Sequence, residues 1–122
     1  MVVDTNSTDE QVNRVFHALA DATRRDIVLR AMGGEHSVSA LARQYPLSVT
    51  AIQKHVEVLA AAGLVTKHRL GREQLVQSNL DAIRDAARLL DRFEIAWRER
   101  IDRIDALISE DPPAGQPTRK DP

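Results

Sequence analysis

Gln53 and Lys54 stand side by side, with Thr50 and Ala51 just before them and His55 just after. A glutamine amide carries both a donor and an acceptor, matching the N6 and N7 positions on the major-groove edge of adenine. A lysine ammonium is a point charge, better suited to a phosphate than to a base. Further on, Lys67, His68, Arg69 and Arg72 gather around Gly71, a cationic cluster that could reach backbone phosphates or a minor groove. Small neighbours such as Ala51 would let the bearing element lie deep in a groove. Ser48, placed at a helix start, can cap that helix or meet a phosphate where free backbone N–H groups already favour an anion. The competing reading of each group is an ordinary solvated face.

Other chemistries find little material. The chain has no cysteine, no glycine-rich phosphate loop and no serine with an obvious histidine–acid constellation. Neither catalytic residues nor cofactors are expected, and the chain is read as a non-enzyme. The four histidines, His17, His36, His55 and His68, are scattered over different segments, and no metal site is expected. His55 shares a helix side with Ile52, Val56 and Leu59, so partial burial or a phosphate hydrogen bond is favoured over metal ligation.

The formal net charge of −1 looks unsuited to nucleic acid, but the charge is unevenly placed. Residues 43–72 hold Arg43, Lys54, Lys67, Arg69 and Arg72 against the single acid Glu57, whereas residues 79–122 hold 8 basic and 10 acidic side chains. Phosphate binding needs local positive potential, not a basic average. At 122 residues, 43% apolar and 29% charged, the chain reads as one soluble globular domain. It shows no membrane-length apolar run and no signal-peptide profile, so a cytoplasmic address is expected.

The elements that would hold these groups follow from periodicity and punctuation. Ser7 with Glu10 has the spacing of a capping box, predicting a first helix to about Ala20 with Val12, Val15, Phe16 and Leu19 as its stripe. A second helix begins near Asp21, turns Ile27, Val28, Ala31 and Met32 inward, and stops at Gly33-Gly34. A short helix to about Tyr45 follows, ended by Pro46. The next runs from Ser48 to about Ala62 with Val49, Ile52, Val56 and Leu59 inward, and Gly63 closes it. Runs at Val65–Arg69 and Glu73–Gln77 flank Leu70-Gly71-Arg72 and predict a hairpin. Asn79 is placed to cap a final helix over residues 80–108. The expected organisation is a flexible N-terminus (1–8), one domain (9–108) and a proline-rich disordered tail (109–122).

The fold class expected is therefore mainly α: a winged helix-turn-helix with a two-stranded β-hairpin wing and a long C-terminal dimerisation helix. In that helix Ile83, Leu90, Trp97 and Ile104 recur every seventh residue, with Phe93 and Ile101 in a neighbouring row. So much apolar surface on one helix predicts pairing with a second copy, involving also Val12, Val15 and Phe16. Twofold pairing would present two recognition helices to successive major grooves of a near-palindromic double-stranded DNA site.

The sequence resembles the ArsR/SmtB family of winged-helix repressors. The likeness lies in Ala18-Leu19-Ala20-Asp21-Ala22-Thr23-Arg24-Arg25-Asp26-Ile27, Val38-Ser39-Ala40-Leu41-Ala42, Ile52-Gln53-Lys54-His55-Val56-Glu57-Val58-Leu59, Ala62-Gly63-Leu64-Val65 and Gly71-Arg72. It implies a homodimeric repressor with first and last helices at the interface. Many members sense metals through cysteine pairs before the turn; the matching positions here are Ser37 and Ser39, poor ligands for soft metals. The resemblance is to the metal-independent members, answering an unidentified small-molecule inducer. A non-cysteine metal site built from Glu35, His36 and acids of another subunit, and a winged helix serving protein interaction without DNA, are the alternatives.

Overall fold

Side-chain caps set most of the helix starts. In the computed structural model, which describes residues 7–110, the chain runs α1 (Ser7–Leu19), α2 (Ala22–Ala31), β1 (His36–Ser37), α3 (Val38–Ala42), α4 (Val49–Ala61), β2 (Val65–Leu70), β3 (Glu73–Ser78) and α5 (Leu80–Glu110). Asp21 caps α2 by accepting the Arg24 N–H at 3.0 Å, and that bond holds its carboxyl below the usual carboxylate range. Ser37 caps α3 through Ala40 N–H and Ser48 caps α4 through Ala51 N–H, each at 3.0 Å. Asn79 accepts the Asp81 N–H at 3.1 Å, the position expected of it. Of the expected flexible N-terminus and disordered tail, residues 1–6 and 111–122 lie outside the described residues.

The chain divides into two compact units, one up to Ala86 and one from Ala87. In the first, Ile27, Leu41, Ile52, Leu59 and Leu64 are fully buried and join residues of every helix and of both wing strands in one core. α4 contributes Ile52, Val56 and Leu59, the stripe its spacing predicted. Val49 is a correction: it stays 49% exposed. Leu47, Ser48 and Thr50 are exposed with it, so the first turn of α4 projects past the last core layer. Met32, also expected inward, caps the end of α2 and remains 51% exposed. Val15, expected on a pairing surface, is 1% exposed and belongs to this unit's own core.

α4 ends in a left-handed glycine cap. Leu64 N–H donates to the Leu59 carbonyl at 2.9 Å and Gly63 N–H to that of Ala60 at 3.0 Å, with Gly63 at φ 78°. A further carbonyl, that of Ala62, accepts from Gln11 Nε2 of α1 at 2.6 Å.

β2 and β3 form the expected hairpin, Leu70 opposite Glu73 with Gly71-Arg72 between them. Only Gly71 takes a positive φ, 65°, as a type II′ turn requires of its first central residue. The sheet has a third strand that the sequence did not reveal: β1 pairs antiparallel with the other edge of β3, His36 opposite Val76 and Ser37 opposite Leu75. It satisfies backbone groups that β3 would otherwise leave unpaired.

α3 stops at Ala42, short of the expected Tyr45, and the chain closes in tight turns, with Gln44 N–H on the Leu41 carbonyl at 2.9 Å and Tyr45 N–H on that of Ala42 at 3.3 Å. Tyr45 is drawn instead to α2. Its hydroxyl donates to Asp26 at 2.6 Å while the Arg30 guanidinium lies 5.4 Å from its ring centre. Burial, reinforced by that carboxylate, pushes the phenol up to about 12. The same hydrogen bond, with a second from Arg30 at 2.7 Å, lowers Asp26.

The second unit, as far as described, is the helix over residues 87–110. Leu90, Phe93, Trp97, Ile101 and Ile104 are all exposed on it, Phe93 by 62% and Trp97 by 61%. Polar neighbours support the helix locally, as where Arg98 reaches Glu94 at 2.8 Å one turn back.

Candidate nucleic-acid interface

The turn of residues 43–48 delivers α4 with its core stripe inward and a small polar surface outward. Thr50, Gln53 and Lys54 are exposed, and Ala51 is half-buried between them. Ser48 has one lone pair committed to the cap, so its hydroxyl proton stays available to an acceptor. No acidic residue lies in the first turn of α4, whereas α1 opens with Asp9 and Glu10 and α5 with Asp81. The partial positive charge of this helix start is therefore not neutralised by its own side chains.

The wing is registered against the same helix. β-strand alternation puts Lys67, Arg69, Gln74 and Val76 on one face of the hairpin. That face meets α4 twice: Gln53 Nε2 lies 3.4 Å from Gln74 Oε1, and Lys67 Nζ lies 3.0 Å from Glu57 Oε1. Gln53 and Glu57 are one helical turn apart, so two side-chain pairs fix hairpin and helix in parallel. Arg69 lies on this face directly opposite Gln74, nearer the tip, and Arg72 is in the turn itself. Both are exposed. The expected cations are thus unequal. Lys67 is engaged by Glu57, whereas Lys54, Arg69 and Arg72 have no hydrogen bond or ion pair among the described residues.

His55 is half-buried, as its place on the helix predicted. Its Nδ1 lies 3.4 Å from Arg24 Nη1 and 3.9 Å from Asp21 Oδ2. Arg24 also donates Nε to the Ala18 carbonyl at 2.7 Å and Nη2 to that of His17 at 3.3 Å. One guanidinium therefore binds the carbonyl end of α1 to the outward helix. The Arg24 guanidinium can only donate, so it and the Asp21 carboxylate offer Nδ1 opposite hydrogen-bonding partners.

His68 faces the other side of the hairpin, its Nδ1 3.2 Å from Glu35 Oε2. It holds the wing to the segment before β1 and does not join the Lys67–Arg69 face. Among the described residues no group of three or more His, Cys, Asp or Glu could hold a metal ion. Nor is any described helix long and apolar enough to cross a membrane.

Sequence reasoning missed Arg24 and Gln74. Both act on residues far along the chain, so neither spacing nor periodicity marks them. The Thr23-Arg24-Arg25 run within the family-like stretch was the one available signal.

The comparisons with known proteins agree with this architecture. A helix-turn-helix domain family matches residues 19–68. The HTH-type transcriptional regulator Rv2034 of Mycobacterium tuberculosis is 38% identical over 87 residues, covering 71% of this chain and 81% of the relative. The transcriptional repressor SdpR of Bacillus subtilis is 29% identical over 75 residues, 62% of this chain and 83% of the relative. Among solved structures, an ArsR-like transcriptional regulator from Rhodococcus sp. RHA1 superimposes with a TM-score of 0.72 at 33% identity, over 84% of this chain and 96% of that one. With a helix-turn-helix, a hairpin wing docked on its second helix, and these relatives, the chain belongs to the ArsR family of winged helix-turn-helix transcriptional regulators.

Proposed function

We propose that the chain is a cytoplasmic transcriptional repressor that binds a near-palindromic operator in double-stranded DNA as a homodimer. The observation that carries this reading is the outward face of α4, Thr50, Ala51, Gln53 and Lys54, set beside a wing whose Arg69 and Arg72 are unpaired among the described residues. Gln53 reads a base edge, Ser48, Lys54 and His55 hold phosphates, and Arg69 and Arg72 hold phosphates or the adjoining minor groove. Lys67 contributes less, because Glu57 already offsets its charge.

Dimerisation is supported by the helix of the second unit. Leu90, Phe93, Trp97, Ile101 and Ile104 would form an apolar surface unusual on an isolated soluble chain, and a second copy covers it. Val12 and Phe16 of α1, both half-buried, retain surface for the same purpose. Repression follows SdpR and the family rather than any single residue. Occupying a promoter with two wings and two helices is enough to exclude other proteins from it.

The response is to a small molecule, not a soft metal. Ser37, where metal-sensing relatives carry a ligand, has its hydroxyl bound to the α3 backbone. Binding to DNA measured across a salt series tests the reading. Arg72→Ala lowers affinity for all sequences alike and reduces the salt slope by about one for each phosphate left without its cation. Gln53→Ala instead narrows the gap between operator and random DNA by about 1–3 kcal/mol. If both variants bind as the parent does, the assignment is wrong. Added zinc or arsenite should leave affinity unchanged; release of the operator by either would restore the metal-responsive alternative.

A further inference from the structure

Val49 occupies the first position of α4 and lies outside the buried core. It does not complete the core, since it remains 49% exposed while the stripe behind it, Ile52, Val56 and Leu59, is fully buried. Nor does it favour the helix, because a β-branched side chain is a weak helix former and an acidic one would suit the first turn better. The cap is supplied by its neighbour Ser48. Position 49 precedes Ile52 by three residues and Gln53 by four, so its side chain lies at the border between the core stripe and the outward face, beyond the last core layer. Gln53, one turn on, contacts the wing through Gln74.

A half-exposed isopropyl group at the tip of a helix entering the major groove has one apolar target there, the C5-methyl of thymine. We propose that Val49 is a specificity-determining residue, reading a thymine methyl in the base pair next to the one whose adenine Gln53 reads. This rests on the operator-binding role argued above. Each half-site then carries an adenine and a neighbouring thymine-bearing pair as one recognition unit. Gln53 supplies the hydrogen-bonding half and Val49 the apolar half.

The test begins with selection of a preferred duplex from random DNA by the full chain. Each thymine in the half-sites is then replaced in turn by deoxyuridine, which removes only the methyl group. For the unaltered protein, one position per half-site should weaken binding about fourfold, and both together roughly fifteenfold, the worth of one buried methyl each. In Val49→Ala that penalty should vanish at the same position while other positions are unaffected; Val49→Ile should keep it. An unchanged melting temperature of Val49→Ala excludes a folding defect. A uracil penalty that survives in full in Val49→Ala, or its absence at every position, overturns the proposal. If no duplex is enriched, the operator-binding role itself fails, and this reading with it.

Discussion

α4 and the second-unit part of α5 are both amphipathic helices, yet they use their faces in opposite ways. In α4 the apolar side is consumed within the chain, Ile52, Val56 and Leu59 being fully buried, and the polar side is left to act. In residues 87–110 the polar side only supports the helix, through pairs such as Glu94–Arg98, and the apolar side lies open. The same periodicity in a sequence therefore marks two different things. It marks a finished interface when the rest of the chain supplies the opposing core, and an unfinished one when it does not.

The largest effect expected from breaking this contrast is on assembly. Phe93→Glu combined with Trp97→Glu should weaken self-association by at least about a thousandfold, seen in sedimentation as a shift from dimer to monomer at micromolar protein. The circular dichroism of the first unit should survive. A doubly substituted chain that still sediments as a dimer would show that the open face is not the pairing surface.

Next in size is the core of α4. Ile52→Ala should cost about 2–4 kcal/mol in urea denaturation, a cavity that no second copy can fill. Ile104→Ala, on the open face, should instead lower stability only in a manner that depends on protein concentration. Equal, concentration-independent losses in both would erase the distinction between the two helices.

A smaller effect is expected at the turn that positions α4. Tyr45→Phe removes the donor to Asp26 and should lower Tm by roughly 4 °C. The pH profile carries its signature. Asp26 titrates below its unfolded value, so its contribution is complete above about pH 4 and fades as pH falls through the lower folded value. Tyr45, raised to about 12, contributes fully below the ordinary phenol value near 10 and loses that contribution as pH climbs from there toward 12. Melting curves of the Phe variant should lack the alkaline loss and show less of the acid one.

An effect of similar or somewhat larger size is expected at the far end of α4. Gly63→Ala places a Cβ 3.1 Å from Gln11 Nε2 at φ 78° and should destabilise by about 1–2 kcal/mol. A neutral outcome there would mean that the cap yields without strain.

Much of this fold was legible because its boundaries are chemically marked. Asp21, Ser48 and Asn79 cap helices, and Gly63 and Gly71 take the positive φ their surroundings require. β1 was not legible, since a two-residue strand has no period to detect and exists only because β3 offers an edge. Val49 was misplaced for a related reason. Helical spacing says which side a residue faces, but not where along the helix the core stops. Arg24 and Gln74 escaped because their partners, His55 and Gln53, lie 31 and 21 residues away. Lys67 was rightly seen as basic, but only the fold reveals that Glu57 stands opposite it.

The bond from Gln11 to the Ala62 carbonyl gives the first helix a grip on the tail of the fourth. A side-chain amide reaching 2.6 Å to a terminal carbonyl tolerates little travel before it must let go. A slide of α1 by an ångström or two must therefore either break this bond or carry the end of α4 along with it.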